Sequence, residues 1–545
     1  MKAELERKRA QTLRAAGFWT DQVFEELLQR AVAATPDKKA IVAHRADRDA
    51  STTLIFRDLE DRVGRVASGL RALGVERGDV VAVQLPNWWE FAAVHLACGR
   101  IGAAFCPLMP ILRERELLFI LGLCEAKVFV VPKLFRGHDF AAMARGMRPK
   151  LPKLQQVVVV DEDGLDGFEP CLLNGGPPIG APAAGGARGL RPDEMAVLMF
   201  TSGTTGEPKG VMHSSNSLVA AANSITDRLK LRQDDVVLVA APLPHMLGFA
   251  ASWLLALRLG ATTVLQDVWE AKRGISLMQA EGVTYTAGST PFLNDVCEFS
   301  AATGVKSKSF RAFMCAGAPI PPALVERALA EMNLKVSSAW GMTEIIAGTM
   351  TEPVHASDKS SKSDGRAMDG MEVCVVDLAG KRLPAGVAGR LLVRGAQRAM
   401  GYYKRPNLMV LDDDGWLDSG DLAYMDTEGY IRITGRTKDV LVRGGENVPV
   451  VEIENLLYKH PAVAGVAIVG FPDRRLGERA CAFIVTRPGK TIDLPEVHRY
   501  LAETKTAKQY WPERVELVSA LPVTPTGKVQ KFVLRDLASR FGDAR

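Results

Sequence analysis

Residues 199–210 read MFTSGTTGEPKG. The hydroxyls of Thr201, Ser202, Thr204 and Thr205, the glycines Gly203 and Gly206, and Lys209 share one short run with no bulky side chain after Phe200. Glycines let backbone N–H groups approach phosphate oxygens, hydroxyls add donors, and the ammonium adds charge. Such a run suits the β- and γ-phosphates of ATP. The P-loop of an ordinary nucleotide hydrolase places lysine directly after its second glycine, followed by Ser or Thr. Here Lys209 stands three positions beyond Gly206, so the loop is not of that type.

The surrounding chain must hold this loop. The apolar run MAVLMF (195–200) predicts a strand leading in. A helix is expected directly after the loop, capped by Ser214 or Ser215 and running through SLVAAANSITDRL. Upstream, Leu59, Val63, Val66, Leu70 and Leu73 fall at helical spacing, with Gly74 as the stop. Strands are predicted at 80–86, 126–132 and 154–161, and a helix through WEFAAVHLACGRIG. Residues 174–190, rich in Gly, Pro and Ala, read as a loop. Strands alternating with helices over the first 430 residues predict an α/β fold of mixed, mostly parallel sheets covered by helices. Beyond a segment dense in Gly and charge (429–448) the texture changes to a small α+β unit: strands at VAIVGFP, ACAFIVT and VELVSALP, and a helix at LPEVHRYLAE. The boundary is placed at Arg436–Lys438, giving domains 1–436 and 437–545, the second mobile.

With its neighbours, TSGTTGEPKG resembles the phosphate loop of the AMP-forming acyl-adenylate superfamily: acyl- and aryl-CoA synthetases, adenylation domains of peptide synthetases, and luciferases. The resemblance continues in order through PLPHMLGF (242–249), AGAP (316–319), WGMTE (340–344), GYYKRPN (401–407), GWLDSGDLA (415–423), GRTKDVLVRGGENVPVVEIE (435–454) and PTGKVQK (525–531). It covers almost the whole chain.

The resemblance implies ATP, Mg²⁺ and coenzyme A as cofactors and a small carboxylic acid as substrate. The carboxylate attacks the α-phosphate, so two anions must meet and the site needs positive charge and a metal. Glu344 would serve the metal-bound phosphates, with Thr343 beside it. Trp340, where the family usually has Tyr, would stack on adenine. Gly341 and Met342 complete that turn, and Gly317, Ala318 and Pro319 would line the other side of the adenine. Asp421 would accept the ribose hydroxyls, and Arg436 would reach ribose or phosphate. Lys528 would bridge the attacking carboxylate and the α-phosphate. For the thiol step the C-terminal domain would swing about Lys438, bringing Gly444 and Gly445 to the pantetheine arm and Arg443 to a CoA phosphate. The lysine matching Lys528 is often acetylated in this family, which implies a lysine acetyltransferase and deacetylase as partners.

His245 matches a position near the substrate carboxylate. Phe249, Trp253, Phe292, Met314, Ala339, Ile345, Ile346 and Ala347, apolar or small, are expected around a hydrophobic acid of moderate bulk. PLPHMLGF lacks the Asp that amino-acid-activating relatives use for the α-ammonium, and His245 replaces the Asn of dihydroxybenzoate-activating ones. Residues 18–45 and VMHSSNSL most resemble bacterial cyclohexanecarboxylate–CoA ligases. A medium-chain or aryl acid is the alternative. CoA is expected as the thiol because no carrier domain follows Lys528, with a separate carrier protein as the rival acceptor. A nucleotide-binding pseudoenzyme would have no reason to keep Lys209, Glu344, Asp421, Arg436 and Lys528 together. Release of AMP and pyrophosphate would exclude a plain ATP hydrolase.

The 545 residues exceed what one core supports. With 47% hydrophobic and 24% charged residues they fit a soluble enzyme. The charged N-terminus has no apolar stretch of a secretory signal, and the run ASWLLALRLGATTVL is short and holds Arg258, so no membrane span is expected. Eight scattered cysteines without a CxxC pair point away from zinc and toward a reducing cytoplasm. A net charge of +5 without an aromatic-basic stripe does not suggest nucleic acid.

Overall fold

A computed structural model describes the chain except residues 1, 49–50, 182–188, 202–207, 319, 438–440, 444–445, 449, 474–475, 505, 525–528 and 542–545. Among the described residues, three large sheets and a two-stranded ribbon (Leu134–Phe135 with His138–Asp139) are built before residue 437, and one sheet after it. In the nine-stranded sheet, six strands run parallel (Lys39–His44, Thr262–Gln266, Val236–Val239, Tyr285–Gly288, Ala312–Cys315, Lys335–Trp340), and short antiparallel strands close both edges. The seven-stranded sheet has a parallel centre of Met195–Thr201, Ala104–Pro107, Val80–Val83, Val128–Pro132 and Gln156–Val160. Strands buried on both faces read as unbroken apolar runs, which is why VVAV and VFVV were legible.

Helices join the two sheets through one core. Leu59, Val63, Val66 and Leu70 of helix Phe56–Ala72 are fully buried against residues from both sheets, among them Ile41, Val81 and Val130. Gly74 follows at φ +79°, donating its N–H to Arg71 O, as the stop predicted. Helix Trp89–Ile101 is buried along its whole length.

Residues 371–436 depart from strand–helix alternation. They form a four-stranded antiparallel sheet (Met371–Val376, Gly389–Gly395, Leu417–Met425, Ile431–Arg436). Two of its turns carry glycines at positive φ, Gly386 at +81° and Gly429 at +83°. The last sheet has five strands: Glu446–Val448, Leu441–Arg443, Gly477–Thr486, Val463–Asp473 and Arg514–Leu517. Helices Val450–Tyr458 and Leu494–Glu503 share its apolar core. The strand expected over VELVSALP ends at Leu517, short of Pro522. Among the described residues no helix is long and apolar enough to cross a membrane.

Candidate active site

Met195–Thr201 pairs antiparallel with Lys209–Ser214, placing Thr201 opposite Lys209 at the loop end of a hairpin. Ser202, Gly203, Thr204, Thr205 and Gly206 lie outside the described residues. The helix starts where its cap was expected, but a strand not foreseen in the sequence stands between it and the loop. Lys209–Ser214 is a strand held on both sides, by Met195–Thr201 and by Gly401–Tyr402. The helix begins at Ser215, capped by Ser214, whose Oγ accepts from Ser217 N at 3.2 Å. Its N-terminus therefore stands roughly 17 Å from Lys209, a strand's length away. The helix dipole falls off within a turn, so Lys209 rather than this helix supplies the charge at the hairpin's mouth. The Lys209 ammonium lies 5.1 Å from the Tyr402 ring centroid.

Trp340 ends its strand, and the next residues turn tightly. Ile345 N and Ile346 N both donate to Met342 O, at 2.9 and 2.7 Å. A Cβ on Gly341 would sit 2.0 Å from Ile346 O, so only glycine fits. Ile346 is held at φ +68°, a strained conformation for a β-branched residue. This turn buries Glu344, which is 6% exposed. The Tyr402 hydroxyl donates to Glu344 Oε1 at 2.6 Å, and Ala399 N donates to Glu344 O at 2.8 Å. Burial first, then the neighbouring carboxylate, holds the Tyr402 phenol well above its ordinary range, so it remains a donor. A carboxylate has about four lone-pair sites, and Tyr402 takes one.

Thr343 is held from the other side. His213 Nε2 is 2.7 Å from Thr343 O, and its Nδ1 is 3.1 Å from Ser217 Oγ. Burial lowers the imidazole to about 4. A neutral ring donating from Nε2 and accepting at Nδ1 satisfies both contacts. The unfolded chain protonates this histidine near pH 6.5 and the native chain only near 4, so its contribution to stability is lost as pH falls through that interval. Glu25 and Glu90, pushed up to about 7 by burial, act oppositely over the same range. The His213 effect is therefore read as a difference. The stability cost of His213→Gln, from urea unfolding, should shrink by about 2 kcal/mol between about pH 7.5 and about pH 5. A cost that does not change with pH would mean that His213 is not held neutral.

Trp340, Asp421 and Arg436 form a second cluster. Trp340 Nε1 donates to Asp421 Oδ2 at 2.8 Å, and Arg436 Nε donates to Asp421 Oδ1 at 2.9 Å. Asp421 and Arg436 face each other across neighbouring strands. Each Asp421 oxygen keeps lone-pair capacity for a ribose hydroxyl. Trp340 is 7% exposed, with Gly348 packed against its ring. Its N–H orients Asp421. Gly317 is at φ +85°, with Ala318 beside it half-buried; Pro319 lies outside the described residues.

On the acyl side, His245 caps a short helical turn, its Nδ1 accepting from Leu247 N at 3.3 Å. A π-helical segment, Phe249–Leu254, follows. Phe249, Trp253 and Ile346 belong to one buried cluster. Met314, Ala339, Ile345 and Ala347 share another with Trp340 and Tyr402, and Phe292 packs elsewhere, 5.1 Å from Trp269. The eight residues are spread over three buried clusters. In the C-terminal unit, Arg443 is engaged internally, 2.5 Å from Glu513 Oε1 and from Gln509 O. Lys438, Gly444, Gly445 and Lys528 lie outside the described residues.

Residues 28–403 match the AMP-binding enzyme family, and residues 452–528 match the AMP-binding enzyme C-terminal domain. The first match spans more than half of the chain. The chain belongs to the AMP-binding enzyme family. The medium-chain fatty-acid–CoA ligase of Escherichia coli K12 is 36% identical to it over 538 residues, covering 97% of this chain and 93% of that one. The salicyl-AMP ligase / salicyl-S-ArCP synthetase of Mycobacterium tuberculosis H37Rv is 32% identical over 545 residues, covering 98% and 94%. The crystal structure of the anthranilate CoA ligase AuaEII in complex with anthranoyl-AMP superposes with a TM-score of 0.86 at 26% identity, over 96% of this chain and 98% of that one. This AMP-binding enzyme is an adenylate-forming ligase of the acyl-CoA synthetase type.

AMP-forming CoA ligases use ATP, Mg²⁺ and CoA, and the residues here fit the first two. Among the described residues no three His, Cys, Asp or Glu gather into a metal cage. Mg²⁺ is commonly bound by one or two carboxylates together with substrate phosphates, and the single buried carboxylate of Glu344 suits that mode. Tyr402, His213 and Asn87 were missed as site residues. Asn87, 2% exposed, donates to Val239 O, Ala241 O and Gln266 O and accepts from Leu243 N at 2.7 Å, fixing the entry to PLPHMLGF. Tyr402 had one available signal, its place inside GYYKRPN.

Proposed function

We propose that this AMP-binding enzyme is a carboxylate–CoA ligase for an apolar alicyclic acid such as cyclohexanecarboxylate. In the first step the acid and ATP give acyl-AMP and pyrophosphate. In the second, CoA thiol displaces AMP and gives acyl-CoA. The reading rests above all on the buried Glu344 carboxylate, held by Tyr402 beside the Thr201–Lys209 hairpin end. Mg²⁺ bound there with the phosphates would neutralise charge as pyrophosphate leaves. Asp421 binds the ribose, oriented by Trp340 and Arg436. Gly341 and Met342 set the turn that carries Thr343 and Glu344, while Gly317, Ala318 and Pro319 border the adenine. His245 faces the substrate carboxylate. Residues 1–436 form the adenylation unit, and 437–545 form the C-terminal unit that turns about Lys438. That unit presents Lys528 in the first step and Gly444, Gly445 and Arg443 in the second. Acetylation of Lys528 by a lysine acetyltransferase would remove its charge and stop the first step.

The apolar substrate is supported by PLPHMLGF, which offers no acidic partner for an α-ammonium. The E. coli relative's name favours a second reading, a medium-chain fatty acid. The M. tuberculosis relative's name raises a carrier protein as thiol acceptor. One panel separates them: ATP, Mg²⁺ and CoA with acetate, hexanoate, palmitate, benzoate, cyclohexanecarboxylate or an amino acid, with AMP and acyl-CoA quantified by mass spectrometry. Cyclohexanecarboxylate should give the highest kcat/KM, by about tenfold or more, the discrimination available from one or two methylenes in an apolar pocket. Preference for hexanoate establishes the medium-chain reading, and AMP without acyl-CoA points to a carrier protein.

A further inference from the structure

Residues 395–403 form the connection on which Glu344 depends. Their inner side holds the site: Ala399 N donates to Glu344 O at 2.8 Å and the Tyr402 hydroxyl to Glu344 Oε1 at 2.6 Å. Met400 N and Tyr403 N donate to Met212 O and Gly210 O, on the strand that starts at Lys209. Gln397, fully buried, accepts from Ala347 N at 3.1 Å. Between Gly395 and Gly401 this connection belongs to no helix or strand, so its buried carbonyls need partners from elsewhere.

Those partners come from the N-terminus. Arg9, on helix Lys2–Ala15, donates through one Nη2 to Gly395 O at 3.0 Å and Arg398 O at 2.9 Å. Trp19 Nε1 donates to Ala396 O at 2.9 Å, and the Arg9 guanidinium lies over its ring at 4.9 Å. Glu6 bridges two cations, accepting from Arg9 at 3.0 Å and from Arg398, which is 2% exposed. The helix is largely charged, and beside a small apolar contact of Leu13 and Trp19 with Ala220 and Ala396, directed polar bonds hold it. Glu6, Arg9 and Trp19 precede position 28, where the family match begins.

We propose that the N-terminal segment is a strap that positions Glu344: Arg9, Glu6 and Trp19 grip the outer side of residues 395–398, and that connection passes the constraint to the Glu344 carboxylate through Ala399 and Tyr402. Arg9, Glu6 and Trp19 are positioning residues, and the inference rests on the reading of Glu344 as the carboxylate for the metal-bound phosphates.

The test uses the full chain with Arg9→Gln, Trp19→Phe and Glu344→Gln. Trp19→Phe removes a single donor and keeps the ring, so it stays informative if Arg9→Gln folds poorly. ATP binding is titrated against Mg²⁺ by calorimetry, and amide hydrogen exchange is followed over 341–346 and 395–403. The half-saturating Mg²⁺ should rise about five- to tenfold in Arg9→Gln and Trp19→Phe, the scale of one or two lost hydrogen bonds. Exchange in both segments should quicken. If only Glu344→Gln shifts the Mg²⁺ requirement, the strap is refuted and the role of Glu344 stands. If Glu344→Gln shifts nothing, both fall. A merely structural N-terminus would lower the melting temperature while leaving the Mg²⁺ half-saturation and the exchange of 341–346 as in the parent chain.

Discussion

Glu344→Gln should slow acyl-adenylate formation by about 10²- to 10³-fold, the usual cost of removing one pre-placed charge-stabilising group, and leave the chain folded. Glutamine has nearly the same shape. Its amide oxygen can still accept from the Tyr402 hydroxyl, and the Ala399 N–H bond to the main-chain oxygen does not involve the side chain. What disappears is the negative charge. On the proposed role of Glu344, one ligand for Mg²⁺ would be weakened from a carboxylate to a neutral carbonyl, and the phosphates would lose part of the counter-ion that offsets repulsion by the incoming acid. Pyrophosphate release at saturating ATP measures the rate, and a thermal melt checks the fold. If Glu344 is the carboxylate for the metal-bound phosphates, as proposed, raising Mg²⁺ should recover part of the rate. Tyr402→Phe should do less, about tenfold, since the carboxylate keeps its charge and loses only its orientation. A Glu344→Gln enzyme within threefold of the parent would remove Glu344 from the chemistry.

The parts of this enzyme that were readable beforehand are those set by local pattern. Helix Phe56–Ala72 announces itself by Leu59, Val63, Val66 and Leu70, and its end by Gly74. The parallel strands announce themselves as short apolar runs because both faces are covered. Lys209–Ser214 is different. KGVMHS contains one apolar pair, and its strand character comes from partners at Met195–Thr201 and Gly401–Tyr402, the latter nearly two hundred positions away. With a well-capped helix following at Ser215, the local signal favoured a loop running straight into that helix. The site is legible by residue type but not by pairing. Glu344 and Tyr402 are 58 positions apart, Trp340 and Asp421 are 81, and Trp19 and Ala396 are 377. No periodicity encodes such contacts; they follow from the order in which strands take their places in three sheets. The same holds for the candidate acyl residues, which share chemistry but are divided among three cores.

Lys528→Ala should separate the two half-reactions. Adenylation should fall by about 10²- to 10³-fold, while thioester formation from preformed acyl-AMP and CoA stays within about threefold of the parent. The first step brings a carboxylate against an α-phosphate, and a single ammonium between them offsets repulsion that no other proposed residue addresses at that point. The second step joins a thiol to an already activated acyl carbon, where AMP leaves as an anion and the two reactants do not repel at close range. The substitution should not disturb the C-terminal unit. That unit has its own core around Ile453, Leu457, Ile484 and Leu501, and Val523 and Val529 pair across the stretch that holds Lys528. Two further variants decide whether charge or shape matters. Lys528→Gln is neutral, as acetyl-lysine is, and should behave like Lys528→Ala. Lys528→Arg keeps the charge on a wider, planar head and should fall between the parent and Ala. If Lys528→Ala lost both half-reactions equally, the lysine would serve neither step selectively, and the proposed division of labour between two orientations of residues 437–545 would have to be abandoned.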